Sequence, residues 1–280
     1  MIEDIVNLPK MSIRIVDIGA AFFGQAQPYQ KLLDRGLATL LAFEPDAEER
    51  EKLQRHLGSQ AKVLPYAVGD GRPHTMHICP AGLGMNSLLE PDPINLNFFN
   101  NFGAWGAVER KVEIETIRLD DCSDVDEIDY LKMDVQGSEL MILKNGETKL
   151  SSCSMMQIEV SFITLYKHQP AFGDIDCYVR QRGFIPHCFS ELKKWSIAPT
   201  RLADDTRMPF NQLLEADIVY MRDFLHGEID DLALKKLAVV AHYCYASPDL
   251  AARCIIELHT RGLVPADAQR HYYESLLVSA

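Results

Sequence analysis

The side chains best suited to chemistry lie where apolar runs of the sequence end, and the first of them is Asp17. It stands two positions before Gly19, at the end of the apolar run formed by residues 13–18. A glycine after a buried strand lets the backbone approach a ligand closely, but a carboxylate at this point repels phosphate and attracts an ammonium group. We therefore predict that Asp17, Gly19 and Ala20 bind a nucleotide-like cofactor that carries an ammonium group. A buried aspartate that caps backbone amides is the alternative interpretation.

The second acidic position is Glu44, which follows the apolar run of residues 37–43 and precedes Pro45. A carboxylate has two oxygens, so it can accept hydrogen bonds from both hydroxyls of a ribose. Ammonium binding at Asp17, together with ribose binding at Glu44 and Pro45, predicts S-adenosylmethionine as the cofactor. The alternative is that Glu44 is a solvated charge at a strand end.

Further cofactor contacts are predicted after the third apolar run. Ala67, Val68 and Asp70 lie where the adenine end of the cofactor is expected, and the Asp70 carboxylate suits the adenine amino group. Asp70 is equally compatible with a turn. Ser87 lies in a long loop rich in glycine, asparagine and aromatic residues, 81–106, and offers a hydroxyl to cofactor or acceptor. Such a loop either closes over the site or packs as a cover on the sheet.

The candidates for the reaction itself are Asp134, Glu159 and His187, each in or directly after an apolar run. Asp134 is expected at the carboxyl end of the central strand, where cofactor and substrate meet, and we predict that it contacts both. Glu159 interrupts an apolar strand, so its carboxylate needs a partner such as Lys132, a bound cation or the substrate. Each of the three candidates can act as a base towards a hydroxyl group.

A divalent metal ion is an alternative occupant of these residues, but it is not predicted. Asp134, Glu139, Glu159 and His187 carry suitable ligand atoms, yet their spacing matches no compact metal-binding motif. Glu139 opens the helix after Asp134, where stabilisation of the helix dipole is a sufficient explanation for it.

Alternating strands and helices must position these residues. Apolar runs at 13–18, 37–43 and 62–66, separated by helical patterns, predict a parallel, doubly wound α/β sheet. Alternation in residues 74–79 and 112–119 predicts inserted antiparallel strands. The remaining strands of a seven-stranded sheet, the last two forming an antiparallel edge, are predicted at residues 128–135, 155–162, 184–189 and 213–221.

The end of the chain is helical and lies outside the sheet pattern. We divide the chain into a sheet domain, residues 1–225, and a helical C-terminal extension, residues 226–280. Three short helices cannot hide their own apolar faces. They are expected either to pack on the sheet domain or to form a homodimer or partner surface.

Composition narrows the classes of protein. A chain of 280 residues with 47% hydrophobic composition can bury a full core, and its net charge of −12 argues against nucleic acid as a partner. The seven cysteines contain no Cys-x-x-Cys pair, which indicates neither a disulfide framework nor a zinc ribbon. The sequence shows no signal-peptide pattern and no run of 18 apolar residues. We therefore expect a cytoplasmic protein without a transmembrane segment.

In combination, these segments resemble the FkbM family of S-adenosylmethionine-dependent O-methyltransferases over about residues 13–222. The family's motifs occur in order as Asp-Ile-Gly-Ala at 17–20, Phe-Glu-Pro at 43–45, Ala-Val-Gly-Asp at 67–70, Asn-Ser-Leu at 86–88, Arg-Leu-Asp-Asp at 118–121 and Lys-Met-Asp-Val-Gln-Gly-Ser-Glu at 132–139. This chain has Gln136 where the family commonly has glutamate. The helical extension lies outside the resemblance.

The resemblance implies a class I methyltransferase (Rossmann-like) fold and O-methylation of a sugar, a surface glycan or a related natural product. A non-catalytic assembly or binding protein that keeps the fold is the alternative. Asp17 and the missing phosphate-binding glycines disfavour a nicotinamide dehydrogenase. A nucleic-acid base methyltransferase is disfavoured because Asp134 is not followed by a Pro-Pro-aromatic element.

Overall fold

The computed structural model describes residues 1–20, 27–202 and 204–279. The strands within these ranges, numbered in chain order, are β1 (Ile13–Ile18), β2 (Ala38–Phe43), β3 (Ala61–Leu64), β4 (Ala67–Gly69), β5 (Pro73–Ile78), β6 (Arg110–Arg118), β7 (Tyr130–Met133), β8 (Met155–Ser161), β9 (Phe184–Lys194) and β10 (Leu213–Arg222).

The helices of the same ranges are α1 (Ile2–Ile5), α2 (Gln30–Asp34), α3 (Ala47–Leu57), α4 (Pro93–Leu96), α5 (Phe102–Trp105), α6 (Glu139–Lys144), α7 (Glu147–Leu150), α8 (Phe172–Gln181), α9 (Asp231–Tyr245), α10 (Pro248–Thr260) and α11 (Ala268–Ser279). None of the described helices combines the length and the apolar character needed to cross a membrane.

The main sheet has seven strands in the order β3-β2-β1-β7-β8-β10-β9. The first five run parallel, and β10 runs antiparallel to both β8 and β9. This confirms the predicted doubly wound sheet with an antiparallel edge. The chain order reverses between β1 and β7, so the carboxyl ends of these strands flank the crevice in which open α/β sheets bind ligands.

A second, three-stranded sheet is inserted between β3 and β7. Its strand order is β4-β6-β5, and β5 pairs antiparallel with β6 as the alternating pattern predicts. The loop after β5 contains α4 and α5, and its aromatic rings pack on one another and on Trp195 at the end of β9. Phe102 contacts both Trp105 and Trp195, at ring-centroid distances of 5.1 and 5.3 Å. The loop is therefore a packed cover next to the β9–β10 connection.

Successive side chains of a strand alternate between the two faces of a sheet, so the apolar strands of the main sheet present apolar side chains on both faces. Helices cover both of these faces. One face packs against α2, α3 and α9 through residues such as Ile15 and Tyr130. The other packs against α6, α7 and α8 through residues such as Val16 and Leu131.

The C-terminal helices pack on the sheet domain. Leu234 and Leu237 of α9 are completely buried in the same apolar cluster as Ile13 of β1. Lys236 Nζ lies 2.9 Å from Asp129 Oδ1, and both side chains are 4% exposed. The apolar face that suggested a dimer surface is thus covered by the chain's own sheet domain, in agreement with the first of the two expectations.

Candidate active site

Asp17 lies near the carboxyl end of β1 and is completely buried. Tyr29 donates its hydroxyl hydrogen to Asp17 Oδ2 at 2.6 Å, and Lys132 Nζ lies 3.5 Å from Oδ1. At this longer distance Lys132 and Oδ1 form an ion pair, and among the described residues no donor reaches Oδ1 with the geometry of a hydrogen bond. Burial raises the pKa of Asp17, and Lys132 partly offsets this effect. A buried carboxylate oxygen without a donor is chemically suited to an ammonium group.

Gly19 brings the backbones of β1 and β7 together. Its φ is +82°, and a Cβ at this position would lie 1.8 Å from the carbonyl oxygen of Asp134. Only glycine fits this close approach. The Asp134 amide donates to the Ile18 carbonyl at 3.0 Å, and the next residue, Ala20, is buried. Backbone rather than side chains therefore forms the narrow start of the crevice.

Glu44 follows β2 and is half-buried beside Pro45. Its Oε1 accepts the Asp46 amide at 2.8 Å, whereas its Oε2 accepts no hydrogen bond from the described residues. Burial raises the pKa of Glu44, and the backbone hydrogen bond from Asp46 lowers it. One carboxylate oxygen is thus available for a ribose hydroxyl. The bidentate ribose contact stays a prediction.

Ala67 and Val68 are buried in β4, and Asp70 follows in the turn to β5. Asp70 Oδ1 accepts the Arg72 amide at 3.1 Å and lies 2.8 Å from His74 Nε2. Burial raises the pKa of Asp70, but the hydrogen bonds from His74 and the Arg72 amide produce a net decrease. Asp70 therefore stabilises this turn, and its contact with adenine stays a prediction.

Gln136, to which the sequence assigned no role, joins the two central carboxylates. Its Nε2 donates to Asp134 Oδ1 at 2.8 Å and to Glu159 Oε2 at 2.7 Å. The two carboxylates fix the orientation of the amide, because they accept from Nε2, and the Tyr166 hydroxyl lies 3.1 Å from Oε1. The φ of Gln136 is +55°, an uncommon value for a residue other than glycine. The loop after β7 thus holds Gln136 in a special conformation that bridges Asp134 and Glu159.

Glu159 lies in β8 and forms an ion pair with Lys193 of β9. Lys132, one of the partners expected from the sequence, does not pair with it. Lys193 Nζ lies 2.9 Å from Glu159 Oε1 and 3.6 Å from Glu215 Oε2. Burial, together with Asp134 and Glu215, raises the pKa of Glu159 well above its usual value, and Lys193 lowers it. Lys132 pairs with Asp17 instead.

Two of the residues considered in the sequence brace the loop between β7 and α6. Glu139 Oε1 accepts the amides of Val135 at 3.0 Å and Gly137 at 3.2 Å, and burial raises the pKa of Glu139 to about 7. Ser87 donates its hydroxyl hydrogen to the Gln136 carbonyl at 2.6 Å. Both side chains therefore hold the backbone around Gln136. A contact of Ser87 with the cofactor stays a prediction.

His187 lies apart from the other two catalytic candidates. Its Nε2 is 2.7 Å from Ser247 Oγ, at the start of α10. Burial lowers the pKa of His187, and Asp249 of the same helix partly offsets this. The structure therefore brings Asp134 and Glu159 together but places His187 against the C-terminal extension.

The carboxyl edge of the sheet carries more acidic than basic side chains. Its acidic residues, here called the carboxylate cluster, are Asp17, Asp134, Glu159, Glu215 and Asp217. Lys132 and Lys193 lie among them. Burial lowers the pKa of Lys132, but Asp17 and the other carboxylates produce a net increase. Among the described residues, no group of three or more His, Cys, Asp or Glu side chains is arranged to hold a metal ion.

A seven-stranded sheet of this order, with an acidic residue in place of phosphate-binding glycines at its first strand, defines a class I S-adenosylmethionine-dependent methyltransferase. The family model described as "Methyltransferase FkbM domain" matches residues 17–186, more than half of the chain. The chain belongs to the FkbM methyltransferase family. The predicted family, fold class and cofactor are confirmed.

Three solved methyltransferase structures are similar to this chain at low sequence identity. Magnesium protoporphyrin IX methyltransferase from Synechocystis PCC 6803, with bound SAM, is 11% identical with a TM-score of 0.39, over 79% of this chain and 77% of that chain. A putative methyltransferase from Thermoplasma acidophilum is 11% identical with a TM-score of 0.38, over 76% and 69%. Precorrin-6y C5,15-methyltransferase from Geobacter metallireducens GS-15 is 9% identical with a TM-score of 0.36, over 79% and 87%. No curated protein matches the chain.

Proposed function

We propose that the protein transfers a methyl group from S-adenosylmethionine to a hydroxyl group of a sugar, a surface glycan or a related natural product. The observation that carries this proposal is the pair of carboxylates, Asp134 and Glu159, joined by the amide of Gln136 at the carboxyl ends of β7 and β8. A sugar hydroxyl is a weak nucleophile near neutral pH, so a carboxylate beside it assists the reaction by accepting its proton.

The cofactor is proposed to lie along the crevice between β1 and β7. When bound, S-adenosylmethionine supplies an electrophilic methyl group. Asp17 Oδ1, which lacks a donor, binds an ammonium group, and Glu44 Oε2 accepts a ribose hydroxyl. The other proposed cofactor contacts are Gly19, Ala20, Pro45, Ala67, Val68, Asp70, Ser87 and Asp134.

Asp134 and Glu159 are proposed to accept the proton as a pair. After burial, the negative charge of Asp134 is the largest influence that raises the pKa of Glu159, so Asp134 makes Glu159 a stronger base. A raised pKa brings the base closer to neutral pH, where proton transfer is most effective. Gln136 orients both carboxylates through its hydrogen bonds. Lys193 forms an ion pair with Glu159 and so reduces the energetic cost of burying the two negative charges.

The charge of the edge also favours one kind of acceptor. The carboxylate cluster contains more acidic than basic groups, and excess negative charge repels anionic compounds. Neutral hydroxyl compounds, such as unphosphorylated sugars, are therefore the preferred acceptors in this proposal.

The test is methyl transfer from radiolabelled S-adenosylmethionine to a panel of neutral monosaccharides, oligosaccharides and polyketide alcohols. Asp134→Asn is expected to lower turnover by about 100-fold or more, because a general base contributes about 10²–10⁴-fold. The control is Asp121→Asn, which removes an exposed carboxylate and is expected to keep full turnover. Undiminished turnover of Asp134→Asn would contradict the base assignment. Transfer only to nitrogen or carbon acceptors would contradict O-methylation.

A further inference from the structure

The face of the main sheet that carries α9 is divided into an apolar and a polar half. Its amino-terminal half is apolar and packs under α9, through Ile15, Tyr130, Met155 and Val219. On its carboxyl-terminal half, the same alternation places polar side chains two residues later in the parallel strands, at Asp17, Lys132 and Gln157, and two residues before Val219 in the antiparallel strand β10, at Asp217. Tyr245, the last residue of α9, meets the polar half where the apolar half ends.

Four side chains connect α9 to the polar half through hydrogen bonds. The hydroxyl oxygens of Tyr130 and Tyr245 lie 2.6 Å apart, and the Tyr245 hydroxyl lies 3.0 Å from Gln157 Oε1. Gln157 Nε2 in turn lies 3.0 Å from Asp217 Oδ2. This series of hydrogen bonds therefore connects the C-terminal extension to Asp217, a member of the carboxylate cluster.

The chemistry of the partners fixes the direction of every bond. The Asp217 carboxylate only accepts hydrogen bonds, so it must face the Gln157 amino group, which turns the amide oxygen towards Tyr245. Tyr245 must then donate to that oxygen, and Tyr130 must donate to Tyr245. Burial raises the pKa of both tyrosines well above 10, so both hydroxyls stay protonated. Without the Tyr245 hydroxyl, the amide of Gln157 would keep only its hydrogen bond to Asp217 and would lose the one that holds its oxygen.

The same series of hydrogen bonds leads to the residues that contact the cofactor in the proposed function. Lys132 lies beside Gln157 in the pairing of β7 with β8, and Gln157 binds Asp217, whose charge acts on Lys132. Lys132 in turn lies 3.5 Å from Asp17 Oδ1. A parallel aromatic connection supports it, because the Tyr245 ring contacts the Tyr130 ring and Tyr130 contacts Tyr29. Tyr29 donates to the other oxygen of Asp17.

We propose that Tyr245, from the C-terminal extension, is a positioning residue for the cofactor site. It orients Gln157, which holds Asp217 beside Lys132, and Lys132 then holds Asp17 in place for the ammonium group. Tyr245 lies outside residues 17–186, the part that matches the family model. The extension therefore completes the site in addition to covering the sheet. This inference rests on the cofactor placement in the proposed function.

The test is calorimetric titration of the full chain with S-adenosylmethionine. Tyr245→Phe removes one hydroxyl and keeps the ring, and it is expected to weaken binding about five-fold, within the range known for residues that act through a network. The control is Tyr243→Phe in the same helix, because the Tyr243 hydroxyl also makes a buried hydrogen bond, to Glu3 Oε2 at 2.8 Å. Tyr243→Phe is expected to lower the thermal midpoint to a similar extent but to leave the affinity unchanged.

A double-mutant cycle separates positioning from general loosening of the fold. In the Asp217→Asn background, Tyr245→Phe is expected to cause no further loss of affinity, because both variants interrupt the same chain of bonds. Equal affinities of Tyr245→Phe and Tyr243→Phe, or a full five-fold loss in the Asp217→Asn background, would overturn the proposal. The titration needs no acceptor, so a failure of the hydroxyl-transfer proposal would leave its result interpretable.

Discussion

Two buried ionic groups at opposite ends of β7 differ in how well their charges are matched. At the amino end, Asp129 accepts from the Arg14 amide and guanidinium and from Lys236, so both of its oxygens are fully bonded. At the carboxyl end, the carboxylate cluster contains more acids than lysines, and Asp17 Oδ1 lacks a donor.

This difference separates a structural ion group from a binding site. A matched buried group connects elements of the fold, and it loses stability when one partner is removed. An unmatched group costs stability in the free protein, which is reasonable only where a ligand supplies the missing charge. The Asp129 group thus attaches the C-terminal extension, whereas we propose that the cluster at the carboxyl end binds a positively charged ligand.

The largest predicted effect concerns the matched group. Lys236→Met removes the buried cation from Asp129 and leaves the partly exposed Arg14 as its remaining cation, and we expect a loss of about 3 kcal/mol in the free energy of unfolding. Urea denaturation measures this loss. Lys235→Met, at the neighbouring position in α9, serves as the control and is expected to change stability by less than about 1 kcal/mol. If Lys236→Met also lost less than about 1 kcal/mol, the Asp129 group would not be a stabilising ion group, and the contrast with the carboxylate cluster would be contradicted.

The next largest effect concerns the unmatched group, where we expect a loss of cofactor affinity and little loss of stability. Asp17→Asn removes the oxygen proposed to bind the ammonium group, and we expect S-adenosylmethionine affinity to fall about 10- to 100-fold. The free energy of unfolding is expected to change by less than about 1 kcal/mol, because the raised pKa of Asp17 shows that its buried charge is costly. Calorimetry and urea denaturation test both parts. Strong destabilisation with unchanged affinity would make Asp17 a structural residue.

The smallest effect is a displacement of the pH profile of turnover. Lys193 lowers the pKa of Glu159, so Lys193→Met is expected to raise that pKa further. A protonated pair cannot accept a proton, so turnover falls as the pH decreases through this pKa, and the fall is expected to move upward by about one pH unit. The neighbouring exposed residue provides the control Lys194→Met, for which no displacement is expected. A profile that moved downward would contradict the role given to the carboxylate pair.

Much of the fold was predictable because strands β1, β2 and β7 are short apolar runs followed by glycine or acidic residues. Parallel strands bring their carboxyl ends to one edge, so Asp17 and Asp134 could be placed near each other from the sequence alone. The tail was less predictable, since its apolar pattern suited both packing on the sheet and a partner surface.

The partners of Glu159 could not be predicted in the same way. Lys193 reaches it from β9, and the pairing of β9 with β10 contains three register shifts. Each shift changes which side chains face the site, so counting along the sequence could not show that His187 contacts the C-terminal extension or that Lys193 reaches Glu159. Gln136 was missed because its bridge depends on a positive φ, which only the neighbouring Gly137 suggested.

The most direct test of the central claim, that the unmatched acidic edge binds S-adenosylmethionine, is calorimetric titration of the wild-type chain with that cofactor and, separately, with NAD. We predict a dissociation constant in the micromolar range for S-adenosylmethionine and no heat of binding for NAD, since Asp17 occupies the place of a diphosphate. Binding of NAD, or binding of neither compound, would contradict the account.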